Sequence, residues 1–139
     1  MAIGITADQL SIGYPERPLA TNINVHVGRG EIVCLLGPNG SGKTTLFKTL
    51  LGLLPTRAGH VAIDGIALQA LSPQQIAQRI AYVPQTQGPI FPYTVEDIVL
   101  MGRTAQVGLF SAPSSMDREI ASQALDKMQI RHLQDQVFS

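Results

Sequence analysis

Eight consecutive residues, Gly37-Pro-Asn-Gly-Ser-Gly-Lys43-Thr44, are the part of this chain best suited to chemistry. A triphosphate must be held without crowding the site. Backbone N–H groups do this as dipoles, with no counter-charge, and glycines at 37, 40 and 42 let the backbone curl around the β-phosphate with no Cβ in the way. A helix starting near Lys43 adds its N-terminal N–H groups and its dipole. Lys43 is placed to reach the β- and γ-phosphates as a mobile point charge, and Thr44 to set its hydroxyl on Mg²⁺. Thr45 is expected at the α-phosphate, and Pro38, Asn39 and Ser41 complete the loop. The pattern is that of a P-loop holding ATP with magnesium. The competing reading is a plain glycine turn between a strand and a helix, and the flanking elements decide between them.

Those elements fit the first reading. Ile32–Leu36 is apolar throughout, which suits a strand covered on both faces in a parallel sheet. Leu46, Leu50, Leu53 and Leu54 recur at helical spacing after the loop. They predict a helix from about Lys43 to Leu51, ended near Gly52 and Pro55. Upstream, Leu10–Ile12 and Ile23–Val27 alternate as half-buried strands around the turn Tyr14-Pro-Glu-Arg-Pro18. Downstream, Val61–Ile63 with Asp64-Gly65 reads as a strand entering a tight hairpin. Ser72 caps a short helix that has Pro73 at its first position and runs to about Arg79; a strand Ile80–Val83 is expected after it. Thr94-Val-Glu-Asp97 resembles a capping box opening a helix through Met101. Gly102 to Ser115, containing Gly108 and Pro113, reads as a loop. Ile120, Ala124, Leu125 and Met128 mark a second helix, and a short segment Ile130–Phe138 follows.

Composition sets the bounds. With 139 residues, 45% hydrophobic and 14% charged, the chain can fold around a core. Ten basic and ten acidic residues balance, so no basic excess points to nucleic acid. The longest apolar runs are about five residues, far short of the roughly 20 needed to cross a bilayer, and no targeting segment is visible at the N-terminus. The lone Cys34 is expected as a small buried hydrophobe, consistent with a reducing compartment. His26, His60 and His132 lack metal-ligand spacing, and Met101, Met116 and Met128 are expected in packing roles.

The loop alone fits kinases, GTPases and many ATPases. The run Gly37–Leu46, then Gly59-His-Val-Ala-Ile-Asp-Gly65, then Ala81-Tyr-Val-Pro-Gln85 closely resembles the ATP-binding subunits of ABC transporters, from about Leu10 to Ser139. The resemblance implies an α/β, P-loop NTPase fold: an ABC ATPase core with an antiparallel β subdomain and the start of a helical subdomain. The β subdomain and P-loop core would occupy about 1–84, and the Q-loop and helical subdomain about 85–139. Tyr14 stands where the family places an aromatic that stacks on adenine; a strand-end tyrosine beside Pro15 is the alternative. Gln85 matches the Q-loop glutamine, implied to contact Mg²⁺ and the region of the attacking water; a surface glutamine is the alternative. Phe91–Arg103 looks like the subgroup serving importers of iron-siderophores, haem, cobalamin and, in some relatives, molybdate. That stretch is implied both to pack in the core and to form part of the groove for the permease.

The implied partners are integral-membrane permease subunits, a second ATP-binding subunit forming a homodimer in the full-length form, and, indirectly, a substrate-binding protein. The implied location is cytoplasmic, peripheral on the inner face of the membrane. The sequence departs from the family in one respect. The Leu-Ser-Gly-Gly-Gln signature, the Walker B Asp-Glu, the D-loop and the switch histidine do not occur in these residues. A truncated nucleotide-binding fragment, inert in hydrolysis by itself and exposing the apolar sides of Ile32–Leu36, is therefore the alternative to a working importer subunit. A non-transport ABC ATPase of translation or repair is a third reading, against which Tyr93–Arg103 speaks.

Overall fold

The computed structural model describes residues 4–85, 91–107 and 112–138. They form two compact units that divide between Tyr82 and Val83.

In the first unit, strands β1 (Ile5–Tyr14) and β2 (Arg17–Val27) make a hairpin closed by Pro15-Glu16, with Tyr14 opposite Arg17. Strand β3 (Ala58–Ile63) pairs with the other edge of β1, and the short β4 (Ile66–Ala67) returns through the Asp64-Gly65 turn. The sheet is antiparallel throughout, in the order β2-β1-β3-β4. Ala7, Leu10 and Ile12 are all buried, yet the step from 7 to 10 breaks the two-residue period of a strand. A bulge absorbs the extra residue: the pairing shifts between Ala7 and Leu10, and Gln9 takes a φ of 47°. The Gln9 N–H, turned out of the ladder, donates instead to Asn24 Oδ1 at 2.9 Å.

Helix α1 (Lys43–Leu50) buries Leu46 and Leu50, one turn apart, in the same cluster as Ala7, Leu10, Ile12, Val61, Ile63 and Leu68. Burying each such large aliphatic side chain contributes about 1.5–3 kcal/mol, so the face pairing Leu46 with Leu50 fixes α1 on the sheet. Helix α2 (Pro73–Ala77) starts as expected: Ser72 Oγ accepts from Gln75 N–H, the Gln75 side chain accepts from Ser72 N–H, and Pro73 leads.

The second unit holds α3 (Val95–Met101) and α4 (Ser115–Lys127). Thr94 and Asp97 form the expected capping box. The next two donors of α3 find main-chain partners: Val95 N–H and Glu96 N–H donate to the carbonyls of Gln136 and Gln134, at 2.9 and 3.0 Å. The last stretch of chain thus caps α3, which explains why it docks there without a long element of its own. A second capping box, Ser114 with Asp117, opens α4 and was not anticipated. Ala121 and Leu125 are buried on one α4 face, and Leu100 of α3 is also buried. Gly108, placed in the loop by the sequence, lies outside the described residues, as do Met1–Ile3 and Ser139.

Four expectations are corrected. Ile32–Leu36 forms no strand, and its side chains are exposed, Ile32 at 93% and Leu36 at 89%. Ile80–Val83 is likewise irregular, with Val83 at 90%. The physical reason is common to both: a parallel strand needs ladder partners and a covered face, and among the described residues neither segment has a paired neighbour. Cys34 is consequently exposed rather than buried. Met101, Met116 and Met128 are exposed as well, not packed. His26 faces solvent, as its place in the β2 alternation requires.

Candidate functional site

The apolar segment 32–36 leads directly into the glycine loop, which turns at Asn39-Gly40 and enters α1 at Lys43. Ser41 N–H donates to Pro38 O at 3.3 Å and closes the turn. Gly42 stands at the N-cap with φ 94° and ψ 4°, a left-handed conformation that costs an L-side chain roughly 1–2 kcal/mol. Its Cα side faces Ile12 of β1 and Leu19 of β2: a Cβ added there would lie 3.7 Å from Ile12 Cδ1 and 3.9 Å from Leu19 Cβ. The loop therefore packs against the end of the hairpin that carries Tyr14.

Lys43 folds back over the loop it closes. Its Nζ donates to the carbonyls of Gly37 and Pro38, both at 2.7 Å. An ammonium carries three donors, so one remains for another acceptor while the charge is held at the mouth of the loop. Thr44 is exposed at the second helical position, whereas Thr45 is buried beside Leu46. One turn on, Thr49 Oγ1 donates to Thr45 O at 2.9 Å. The helix start itself is unlike the others. α2, α3 and α4 each begin with a side-chain capping box; α1 has no side-chain cap, and no acidic residue in its first turn. Its leading N–H groups and positive dipole end are thereby left to an anion.

Tyr14 ends β1 and is 47% exposed. Gln85 is exposed just beyond Pro84, in the second unit. The structure thus brings Gly37–Thr45 and the Tyr14 end of the hairpin into one unit and leaves Gln85 in the other. Sequence reasoning missed Arg57, whose Nη1 donates to the carbonyls of Tyr14 and Pro15. No motif marks it; only its charge in an otherwise uncharged turn, Pro55-Thr56-Arg57-Ala58, was a signal. Among the described residues there is no group of His, Cys, Asp and Glu able to hold a metal, and no helix is long and apolar enough to cross a membrane.

In the second unit two carboxylates, Asp97 and Asp117, serve helix starts. Asp97 is held below the ordinary carboxylate range, first by hydrogen bonds from the Thr94 hydroxyl and N–H and then by the charge of Arg118. Asp117 is lowered by the equivalent bonds from Ser114 and by Arg103, whose Nε lies 3.0 Å from Oδ1.

Comparison with known proteins agrees with this geometry. An ATP-binding protein of an uncharacterised ABC transporter from Haemophilus influenzae is 39% identical over 134 residues, 96% of this chain and 51% of its own. The manganese transport system ATP-binding protein MntB of Bacillus subtilis is 38% identical, over 89% of this chain and 48% of its own. A solved inward-facing ABC transporter assigned to the metal-chelate type superposes with a TM-score of 0.76 at 31% identity, over 97% of this chain and 48% of that one. The chain thus spans about half the length of the curated relatives it matches. The family model for ABC transporters matches residues 20–139, taking in the glycine loop, Lys43 and Gln85. An uncapped helix behind a glycine loop, an antiparallel sheet beside it, and a match over most of its residues together place this chain in the ABC transporter family.

Proposed function

We propose that this chain provides the MgATP-binding part of the ATP-binding subunit of an ABC importer for an iron chelate, haem, cobalamin or related metal compound. The observation that carries the proposal is the α1 start: no side-chain cap, a left-handed Gly42, and the Lys43 ammonium held over the loop carbonyls. The N–H groups of the loop and of the first helical turn hold the phosphates. The third Lys43 donor meets a β- or γ-phosphate oxygen, the exposed Thr44 hydroxyl holds the metal, and Tyr14 takes the adenine; Gln85, in the other unit, is the glutamine of the Q-loop by its resemblance to the family. The donor set fits Mg²⁺, which accepts one or two protein oxygens beside phosphate and water. When bound, the ion neutralises phosphate charge. A boundary near residue 84 would separate the β subdomain and loop core from the Q-loop and helical subdomain. The metal cargo is supported by relatives named for manganese and for metal chelates.

Permease subunits, a second ATP-binding subunit and a substrate-binding protein complete the assembly in this reading, which places the chain on the cytoplasmic face of the membrane. A second reading has its own support. Residues 1–139 contain no Leu-Ser-Gly-Gly-Gln and no apolar strand ending in Asp-Glu, so the groups that would polarise an attacking water are absent from them. By themselves these residues bind ATP and do not turn it over. Phosphate release from the intact chain with MgATP tests this: the expected result is no release above the Lys43→Ala background. Steady release that Lys43→Ala abolishes would overturn it.

A further inference from the structure

Arg57 lies in the connection between α1 and β3, outside the loop and the lysine described above. Its backbone N–H donates to Ser11 O in β1 at 3.0 Å, which seats it beside the far end of that strand. Its Nη1 then donates to two successive carbonyls of the β1–β2 turn, those of Tyr14 and, at 2.9 Å, Pro15. The contacts join residues 42 and 43 positions apart in sequence. On the other side of Tyr14, Gly13 has φ 144°, and a Cβ there would lie 2.5 Å from Arg17 O and 2.8 Å from Pro18 Cα. The chain is therefore held immediately before Tyr14 by a close approach only glycine allows, and immediately after it by the guanidinium.

Two fixed points on either side of one residue fix the direction of its Cα–Cβ bond. The ring itself is half out in solvent, and an exposed ring on a loose turn loses rotamer and backbone freedom when it stacks. The geometry points to Arg57 as a positioning residue for base recognition: by holding the Tyr14 and Pro15 carbonyls it presents the Tyr14 ring as a fixed face for the purine. This rests on the reading of Tyr14 as the base platform given under the proposed function. Arg57 touches no phosphate in this scheme, so its effect belongs to the base alone. That separates it from a residue that merely stabilises the hairpin, whose loss would weaken every ligand of the site together.

The chain has no tryptophan, so Tyr14→Trp introduces a single reporter at the stacking position. In that background, MgATP is titrated by fluorescence quenching and magnesium tripolyphosphate, which has no base, by calorimetry, with Arg57 intact, Arg57→Ala and Arg57→Lys. The expected result is about fivefold weaker MgATP binding in Arg57→Ala, at the lower end of what base–aromatic stacking contributes. Tripolyphosphate binding stays unchanged, and Arg57→Lys, which keeps a donor of nearly the same reach, recovers part of the loss. Equal weakening of both ligands would assign Arg57 a structural role and overturn the inference. So would unchanged MgATP binding in Arg57→Ala alongside a loss in Tyr14→Ala, an outcome that leaves the Tyr14 reading standing. Unchanged MgATP binding in Tyr14→Ala itself would remove the base platform, and the inference with it. Should Arg57→Ala not fold, Arg57→Gln, too short to reach both carbonyls, replaces it under the same criteria.

Discussion

Lys43 and Thr44 are adjacent, yet the structure places their side chains differently. The lysine turns back over the loop, where its ammonium already meets two carbonyls; the threonine hydroxyl stays exposed on the first turn of α1. A charge at the mouth of the loop serves any polyphosphate, whereas a lone hydroxyl in the metal's shell matters only when the metal is present. Thr44→Ala should therefore weaken ATP binding in magnesium on the order of fivefold, about 1 kcal/mol, the loss of one neutral oxygen ligand whose place a water takes. Binding in EDTA should not change. Paired titrations in the two buffers check this, and an equal loss in both would take the hydroxyl out of the metal site. The tasks of the two residues belong to the proposed function; the glycine loop and the helix start at Lys43 were legible in the sequence because residue type and spacing specify them. Arg57 was not: its partners lie more than forty residues away, and main-chain carbonyls leave no trace in sequence.

At the scale of elements, the helix starts divide into two kinds. Those of α2, α3 and α4 are closed by their own side chains, and that of α1 is left open. The closing depends on ionised carboxylates at α3 and α4. Asp97 and Asp117 have folded-state pKa values below their ordinary value, so unfolded chains bind their protons more tightly. Their stabilisation is complete above about pH 4, near the unfolded carboxylate value, and is lost as pH falls through the lower folded value. Helical circular dichroism should hold from neutral pH to about pH 4 and fall below it. In Asp117→Asn that acid-induced drop should be smaller, from a lower starting stability; an unaltered acid profile would show that the Ser114 box contributes nothing to it. Thr94-x-x-Asp97 was legible as a cap because Thr and Asp stand three apart before an apolar run. The same spacing at Ser114 and Asp117 was hidden by the preceding Pro113 and the loop reading of that stretch.

Across the whole molecule, the two segments that failed to become strands share a property. Ile32–Leu36 and Ile80–Val83 are apolar enough for a buried parallel sheet, but burial there depends on neighbours rather than on their own sequence. Parts of β1, β2 and β3 were legible from their alternation, at Leu10–Ile12, Ile23–Val27 and Val61–Ile63, and local turns pair β1 with β2 and β3 with β4; the pairing of β1 with β3 joins distant residues and was not legible. The apolar runs carry no such local instruction. Their exposure does not disturb the loop that follows, since α1 is fixed from the other side by Leu46 and Leu50 on the sheet. The β1–β3 sheet and α1 share a core in the first unit, and phosphate binding as proposed would rest on it.

The central claim, that Gly37–Thr45 holds MgATP, is tested most directly by calorimetric titration of the intact chain with MgATP beside Lys43→Ala. One saturable site is predicted, weakened at least about tenfold by the substitution, as expected for a hydrogen bond to a charged group. Binding that survives Lys43→Ala unchanged, or no saturable binding by a folded chain, would contradict it.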